Sequence, residues 1–156
     1  MKLYFLRHGL AGHGTRWKGD DRVRPLTPQG KKKMAREAAT LARLNLGINL
    51  VITSPLARAR ETAEIIAERL QIKQLQDERL SPGFNPEQLA AILHDHPRAG
   101  ALMLIGHEPD FSATIGHLIG DARIVCKKGG LALVDVPNSK DVRGELLWLI
   151  PPNLLA

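Results

Sequence analysis

The chain has 156 residues, of which 44% are hydrophobic and 24% charged, as is typical of a globular protein of one domain. Only 4% are aromatic, and 22 lysines and arginines against 16 aspartates and glutamates give a formal net charge of +6. No apolar run approaches the ~20 residues of a membrane span, and few rings are available to stack on bases. These values argue against a membrane protein or a nucleic-acid-binding protein and favour phosphates or acidic protein surfaces as partners.

The cellular location is predicted from the N-terminus and the cysteine content. The chain enters a strand at once, with no signal-peptide pattern, and its single cysteine is Cys126. One cysteine forms no internal disulfide and suits a reducing compartment, so we expect a cytoplasmic protein. Cys126 lies in no metal-like pattern and is expected to be a small buried apolar residue.

Strands and helices alternate in the first half of the chain. The sequence predicts a strand at 2–6, a loop at 11–24, a helix from 28 to about 46, a strand at 50–53 and a helix from about 56 to 70. Thr27 and Pro28 suit the N-cap and first position of the first helix, and Gly47 is expected to end it. The lysines at 31–33 lie in its first turn, where we expect them to be solvated rather than to form an anion-attracting rim.

The second half continues the alternation and ends in a hairpin. The sequence predicts a short strand at 72–75, a loop at 80–85, a helix from 86 to about 94, a strand at 101–105, a helix ending near 119, and hairpin strands at 131–136 and 145–150 with turn signals at 137–139. Asp110 is expected to cap the fourth helix. Unbroken apolar strands between helices predict a three-layer α/β/α fold with a mostly parallel central sheet. No linker or repeat is present, so one domain is expected over residues 1–156.

Three predicted strands lead to polar residues that suit an oxyanion. The first ends in Arg7 and His8, the second leads to Arg58, and the strand at 101–105 ends in His107. Parallel strands bring their carboxyl ends to one edge of a sheet, where open α/β sheets bind ligands. Arginine forks suit phosphate, and a neutral imidazole is a potential nucleophile. Because no metal-ligand spacing is present, we expect a phosphate pocket at this edge.

Four segments resemble the motifs of a known family. Leu-Arg-His-Gly at 6–9 resembles the RHG signature of the histidine phosphatase superfamily, which includes the cofactor-dependent phosphoglycerate mutases. Three further segments resemble its LTxxG, SxLxRAxxT and GH motifs: Leu-Thr-Pro-Gln-Gly at 26–30, Ser-Pro-Leu-Ala-Arg-Ala-Arg-Glu-Thr at 54–62, and Gly-His at 106–107. They occur in the family's order, whereas the C-terminal part of the chain carries no such motif.

The resemblance implies a role for each matching residue. It implies that His8 is the nucleophile, which takes the phosphoryl group on a ring nitrogen, and that Arg7 and Arg58 bind the phosphate. It also implies that His107 hydrogen-bonds the phosphoryl oxygens, and that water hydrolyses a phosphohistidine intermediate without a metal or organic cofactor. The two arginines are expected to lower the pKa of His8 and keep its imidazole neutral.

The chain lacks one feature of the family. Members that cleave phosphate esters usually carry a carboxylic acid after the second helix, often in an L-x-E pattern. Here the comparable segment is Leu-Ser-Pro at 80–82, and Glu78, Glu87 and Glu108 remain as candidate acids. An alkoxide needs a proton to leave, whereas imidazole leaves a phosphoramidate readily, so the missing acid favours phosphohistidine as substrate. With no long insertion to form a lid, the chain resembles the small SixA-type phosphohistidine phosphatases.

Other polar residues have both a functional and a structural interpretation. Ser54 either contacts the phosphate or caps the second helix. His13 and Arg16 either contact the substrate or belong to a surface loop. His117, within an apolar helix, is expected to be a hydrogen-bonded core or boundary residue. His-Asp-His at 94–96 is expected to be solvated at a helix end rather than to bind a metal.

Three functions are compatible with these features. The first is a cytoplasmic phosphohistidine phosphatase that acts on a phosphorylated protein of the histidine-phosphotransfer type. The second is a phosphatase for a small phosphomonoester, with Glu78, Glu87 or Glu108 as the acid. The third is a non-catalytic module that binds phosphate or a phosphoprotein, which the nucleophilic imidazole disfavours. A mutase is disfavoured by the missing acid, and the sequence leaves the oligomeric state and the target open.

Overall fold

The computed structural model describes residues 1–12, 17–137 and 143–156. The strands in this part of the chain are β1 (Lys2–Arg7), β2 (Leu50–Thr53), β3 (Gln74–Gln76), β4 (Ala101–Gly106), β5 (Leu131–Asp135) and β6 (Glu145–Ile150). The helices are α1 (Pro28–Leu44), α2 (Ala57–Leu70), α3 (Pro86–Asp95) and α4 (Asp110–Leu118). Short 3₁₀ helices lie at Asp21–Val23, Glu78–Leu80 and Pro152–Leu154.

The strands form one sheet in the order β3-β2-β4-β1-β5-β6. The first four strands run parallel, β5 is antiparallel to β1, and β6 is antiparallel to β5. The mostly parallel sheet predicted from the sequence is therefore confirmed. The C-terminal hairpin extends this sheet at one edge, and residues 138 and 139 of its predicted turn lie outside the described residues.

Helices cover both faces of the sheet. Alternate residues of a strand point to opposite faces, so Leu3 and Phe5 of β1 pack in one core with α3 and α4, whereas Tyr4 and Leu6 pack in a second core with α1 and α2. These four side chains are at most 1% exposed. Burying a large apolar side chain stabilises a fold by roughly 1.5–3 kcal/mol, so both cores hold the sheet. This is the three-layer α/β/α arrangement that the sequence predicts.

Two element boundaries differ from the prediction by more than one residue. Helix α1 ends at Leu44, because Asn45 adopts a left-handed φ of 46° and stops the helix before Gly47 is reached. Strand β3 lies later than the predicted 72–75, since its position is set by parallel pairing with β2 rather than by its own short apolar run. Both differences arise from backbone geometry or tertiary pairing that a local pattern does not contain.

The helix caps agree with the prediction for α1 and not for α4. Thr27 caps α1, since its Oγ1 accepts a first-turn amide N–H at 2.9 Å. Asp110 was expected to cap α4, but it is the first helical residue, and its Oδ2 accepts the Gly83 N–H at 2.8 Å. Glu108 satisfies the helix end instead, because its Oε1 accepts the Ser112 N–H at 3.2 Å.

Cys126 is fully buried, and burial raises the pKa of its thiol to about 11. This agrees with the expectation of a small buried apolar residue. Within the described ranges, no helix has the length and apolar character needed to cross a membrane.

Candidate active site

The carboxyl ends of three parallel strands bring the predicted residues together. Arg7 at the end of β1 pairs in register with Gly106 at the end of β4, so His8 and His107 leave neighbouring strands at the same level. Their ring centroids lie 5.2 Å apart. Arg58 lies in the first turn of α2, just after β2, and its charge acts on both imidazoles. The four residues therefore meet at one edge of the sheet, as the sequence predicts.

The turn at Gly9 ties β1 to α2. The Gly9 N–H donates to Thr62 Oγ1 at 3.1 Å, and that hydroxyl donates to the Arg58 carbonyl oxygen at 2.7 Å. A Cβ on Gly9 would lie 2.6 Å from Met34 Cγ, so a side chain does not fit here without displacing α1. This close packing fixes His8 relative to Arg58.

A backbone hydrogen bond determines which nitrogen of His8 is free. Nδ1 lies 2.8 Å from the carbonyl oxygen of Gly9. Because a carbonyl oxygen only accepts, Nδ1 carries the proton and Nε2 keeps its lone pair. The pKa of His8 lies well below the usual 6.5, chiefly because of burial, with further lowering by His107, Arg58 and Arg7. The expected direction is confirmed, although burial outweighs the arginines as its cause.

Ser54 contacts His107. Its Oγ lies 2.8 Å from His107 Nε2 and accepts the Leu56 N–H at 3.3 Å. It does not cap α2, because the N-cap of that helix is Leu56 and no side chain caps it. In the tautomer in which the Ser54 hydroxyl donates its proton to Nε2, the ring proton of His107 lies on Nδ1. Burial, followed by the charge of Arg58, lowers the pKa of His107 to about 4, so its ring is neutral at pH 7.

Three buried nitrogens of these residues have no partner among the described residues: Arg7 Nε, Arg58 Nε and His107 Nδ1. A buried N–H donor without an acceptor costs about 1–3 kcal/mol, so such groups mark a place that a ligand completes. Two guanidinium donors and one imidazole donor together suit a tetrahedral oxyanion. This donor set fits a phosphoryl group better than a metal ion, which needs lone pairs.

The sequence analysis did not identify Asp21 and Arg24 as pocket residues. Arg58 Nη1 donates to the Asp21 carbonyl oxygen at 2.9 Å, and Arg58 Nη2 lies 3.0 Å from Asp21 Oδ2. Arg24 Nε donates to Asp21 Oδ1 at 2.7 Å. The hydrogen bond from Arg24, followed by the charge of Arg58, holds the pKa of Asp21 below its usual range, so this carboxylate is ionised. The position of Arg24, just before the Leu-Thr-Pro-Gln-Gly motif, was the available signal.

Lys128 is a further cation at the pocket. Partial burial and the charges of Arg7, Arg24 and Arg58 lower its pKa. The backbone beside it supports the strand end, since Gly129 N–H donates to the Arg7 carbonyl oxygen at 3.1 Å. The preceding loop does the same, since Arg7 Nη1 donates to the carbonyl oxygen of Cys126 at 2.8 Å. A lysine followed by two glycines was the sequence signal for a tight loop here.

The three candidate acids lie in different surroundings. Glu78 is 70% exposed, and its carboxylate pairs with Arg22 at 3.2 Å. Glu87 is exposed in the first turn of α3. Glu108 is held by the amide of Ser112 at the start of α4, and its charge acts on Arg7. In the part of the chain that the structure describes, none of the three forms a hydrogen bond or an ion pair with His8 or His107.

The remaining candidates lie away from this edge or outside the described residues. Asp95 pairs with Arg79 at 2.8 Å, and no group of three metal-binding side chains is found in the described ranges. His117 was expected to be a core or boundary residue, but it is exposed, because its side chain leaves the apolar face of α4, and its Nδ1 lies 3.3 Å from Asp121 Oδ1. His13 and Arg16 lie outside the described residues.

Comparison with known proteins identifies the family of this chain. The model of the histidine phosphatase superfamily (branch 1) matches residues 3–82. The uncharacterized protein SYNPCC7002_A2622 from Picosynechococcus is 32% identical over 97% of this chain and 100% of its own length. The chain therefore belongs to the histidine phosphatase superfamily.

Two further similarities concern the fold and about half of the chain. A solved structure of the protein histidine phosphatase SixA complexed with tungstate superposes with a TM-score of 0.88 at 24% identity, covering 100% of both chains. The protein named Probable phosphoglycerate mutase GpmB from Escherichia fergusonii is 39% identical over 51% of this chain and only 37% of its own length. The fold is thus that of SixA, and the match to GpmB covers only about half of this chain.

Proposed function

We propose that this protein is a phosphohistidine phosphatase that acts on a phosphorylated protein through a covalent intermediate on His8. The observation that carries the proposal is the geometry of His8, whose Nδ1–H is bound to the Gly9 carbonyl at 2.8 Å while Nε2 keeps its lone pair. The unpartnered donors of Arg7, Arg58 and His107 supply an oxyanion pocket beside it.

In the first step, His8 Nε2 attacks the phosphorus of the substrate. A bond forms between phosphorus and Nε2, and the bond between phosphorus and the substrate imidazole breaks, its electron pair staying on the leaving nitrogen. Arg7, Arg58 and His107 stabilise the negative charge on the transferring oxygens. Because burial keeps the pKa of His8 low, the lone pair is available at neutral pH without a separate base.

In the second step, water attacks the phosphorus of phosphorylated His8. The bond to Nε2 breaks, inorganic phosphate leaves, and the imidazole of His8 returns to its starting tautomer. The Gly9 carbonyl holds Nδ1–H through both steps, so the ring does not need to turn. The balance is one water consumed and one phosphate released for each phosphohistidine hydrolysed.

The choice of phosphohistidine over a phosphate ester rests on the acids near the pocket. Asp21 pairs with Arg24 and Arg58 and is ionised, so it holds no proton for a leaving group at neutral pH. Glu78 and Glu108 have partners of their own. An alkoxide without an acid loses roughly 10²–10⁴-fold in rate, whereas a substrate imidazole protonated on its other nitrogen leaves neutral.

The experiment compares a phosphohistidine peptide with a simple alkyl phosphate at neutral pH, with a chelator present. We expect fast release of phosphate from the peptide and little from the ester. The His8→Ala variant is expected to remain folded and lose turnover of both. His117→Ala is the matched control, since this histidine is exposed and its side chain pairs with Asp121 at 3.3 Å, away from the pocket. An active His8→Ala protein would refute the covalent mechanism.

A second candidate is a phosphatase for a small phosphomonoester. The similarity to the protein named Probable phosphoglycerate mutase GpmB favours this candidate. The position of Glu108 favours it as well, because the charge of Glu108 acts on Arg7 at the pocket. Equal or faster release from the ester would support this candidate and assign an acid to the site. Tight binding of phosphorylated ligand without turnover would instead support a non-catalytic module.

We also propose a cytoplasmic location, supported by the single buried thiol.

A further inference from the structure

The exposed apolar side chains of the described residues are unevenly distributed. Seven large ones are exposed in this part of the chain. Four of them lie in the loops that border the phosphate pocket, and we call these four the apolar rim: Leu10, Trp17, Val23 and Val125. Single exposed apolar residues are ordinary on any surface, whereas a group beside a charged pocket is typical of a protein contact.

The loop between β1 and α1 carries three members of the rim. Leu10 follows the turn that holds His8, and its carbonyl oxygen accepts the Thr27 N–H at 2.9 Å. Val23 lies between Asp21 and Arg24, the two residues paired with each other beside Arg58. Trp17 is anchored by Nε1, which donates to the carbonyl oxygen of Asp20 at 3.0 Å. The loop that carries these side chains is therefore fixed beside Arg58 by contacts of its backbone, of the Trp17 ring and of Asp21.

The loop between α4 and β5 carries the fourth member. Val125 is 71% exposed, and its neighbour Cys126 is fully buried with its carbonyl oxygen bound to Arg7 Nη1 at 2.8 Å. The chain thus turns its small cysteine inward and its valine outward at the edge of the pocket. An exposed valine beside a phosphate-binding arginine has no role in phosphate chemistry.

Positive charge accompanies the rim. The same two loops expose several cations, namely Lys18, Arg22, Arg123 and Lys127. The exposed acids Asp20, Asp21 and Asp121 lie among them; Asp21 is already paired with a pocket arginine, and Arg22 is paired with Glu78. Together with Lys128 and the phosphate-binding arginines, this face attracts anions over a distance of about 8–10 Å at ordinary salt.

We propose that the apolar rim docks an acidic protein surface that presents the phosphohistidine, and this rests on the proposed function. Apolar contact supplies affinity at the centre of such an interface, and opposite charge supplies orientation and association rate. A second copy of the chain is a poor occupant, because two faces of a protein with net charge +6 would repel. A free phosphoramidate reaches the pocket without contacting the rim.

The test compares three substrates: free phosphoramidate, an acidic phosphotransfer domain phosphorylated on histidine, and a basic histone phosphorylated on histidine. We expect kcat/KM for the acidic carrier to exceed that for the basic carrier by about tenfold or more at low salt, and added salt to narrow the difference. The double variant Val23→Ser/Val125→Ser is expected to lose about tenfold in kcat/KM on the acidic carrier and to keep its rate on phosphoramidate.

Leu44→Ser is the control, since Leu44 is 51% exposed at the end of α1 that lies away from the pocket. Equal loss on the carrier and on phosphoramidate would overturn the docking role, as would a double variant with unchanged carrier kinetics. A double variant that binds phosphatidylserine vesicles less well than the wild type, but turns over the acidic carrier at the wild-type rate, would also overturn it. Failure of the wild-type protein on all three substrates would refute the proposed function itself.

Discussion

Burial and positive charge act together on the imidazole of His8. Burial is the larger cause, and His107, Arg58 and Arg7 add to it, while the hydrogen bond to Gly9 opposes them and the pKa still lies well below 6.5. A surface histidine is partly protonated near pH 6.5 and loses its lone pair there. His8 keeps that lone pair, so the same contacts that position the nucleophile also set its charge.

The pH profile tests this directly. We expect kcat/KM for a phosphohistidine peptide to show no fall near pH 6.5, and to fall only at more acidic pH where His8 gains a proton. The measurement is phosphate release over short times, with His8→Ala run in parallel to subtract acid-catalysed decay of the substrate. A descending limb centred at or above pH 6.5 would show that the imidazole is not buried as described.

The short 3₁₀ helix at Asp21–Val23 places a carboxylate against the phosphate-binding arginines. Asp21 occupies Arg58 by two contacts, one from its backbone carbonyl at 2.9 Å and one from its side chain at 3.0 Å. A bound phosphate would carry the same sign of charge as this carboxylate and would compete with it for the Arg58 guanidinium. This element therefore limits the affinity of the pocket for free phosphate.

Asp21→Asn removes that charge and keeps the backbone contact to Arg58. We expect inorganic phosphate to inhibit the variant more strongly, with a Ki lower by about threefold or more. Asp20→Asn is the matched control, because the carboxylate of Asp20 accepts only the Arg22 N–H among the described residues, at 2.9 Å. A raised Ki in Asp21→Asn would show that the carboxylate orients the arginines for phosphate rather than competing with it.

The sequence predicts those parts of the molecule that depend on local pattern. Apolar runs and helical periodicity predict the strands and helices, and the ends of parallel strands predict the meeting of Arg7, His8 and His107. Asp21 and Arg24 are not predicted in this way, because an ion pair inside an irregular loop produces no periodic pattern in the sequence. The cap of α4 is not predicted either, because the Asp110 carboxylate accepts a hydrogen bond from Gly83, which lies in a loop distant in sequence.

At the scale of the whole molecule, one buried group acts against folding. Glu37 lies on the inner face of α1 beside Met34, Ala38 and Leu41, is 0% exposed, and has no partner for either oxygen among the described residues. A Cβ on Gly129 would lie 2.7 Å from Glu37 Oε1, so the carboxyl packs against the loop that supports Arg7 and His8. Periodicity places position 37 inside, whereas its chemistry favours the surface.

Burial raises the pKa of Glu37 from 4.5 to about 8, against the opposing charge of Lys33. The folded chain therefore keeps a proton that the unfolded chain releases above pH 4.5, and stability falls as pH rises from about 4.5 to about 8. Over that window the loss is on the order of 5 kcal/mol, since each pKa unit is worth about 1.4 kcal/mol.

Glu37→Met fills the same space with an apolar side chain. We expect its gain in the free energy of unfolding over the wild type to grow between pH 4.5 and pH 8 and to level off above, as measured by urea unfolding. Taking the difference between the two proteins cancels the other titrating groups. Glu68→Met, at an exposed position of α2, is expected to show no such growth. A constant difference at every pH would mean that Glu37 finds a partner for its charge in the folded protein.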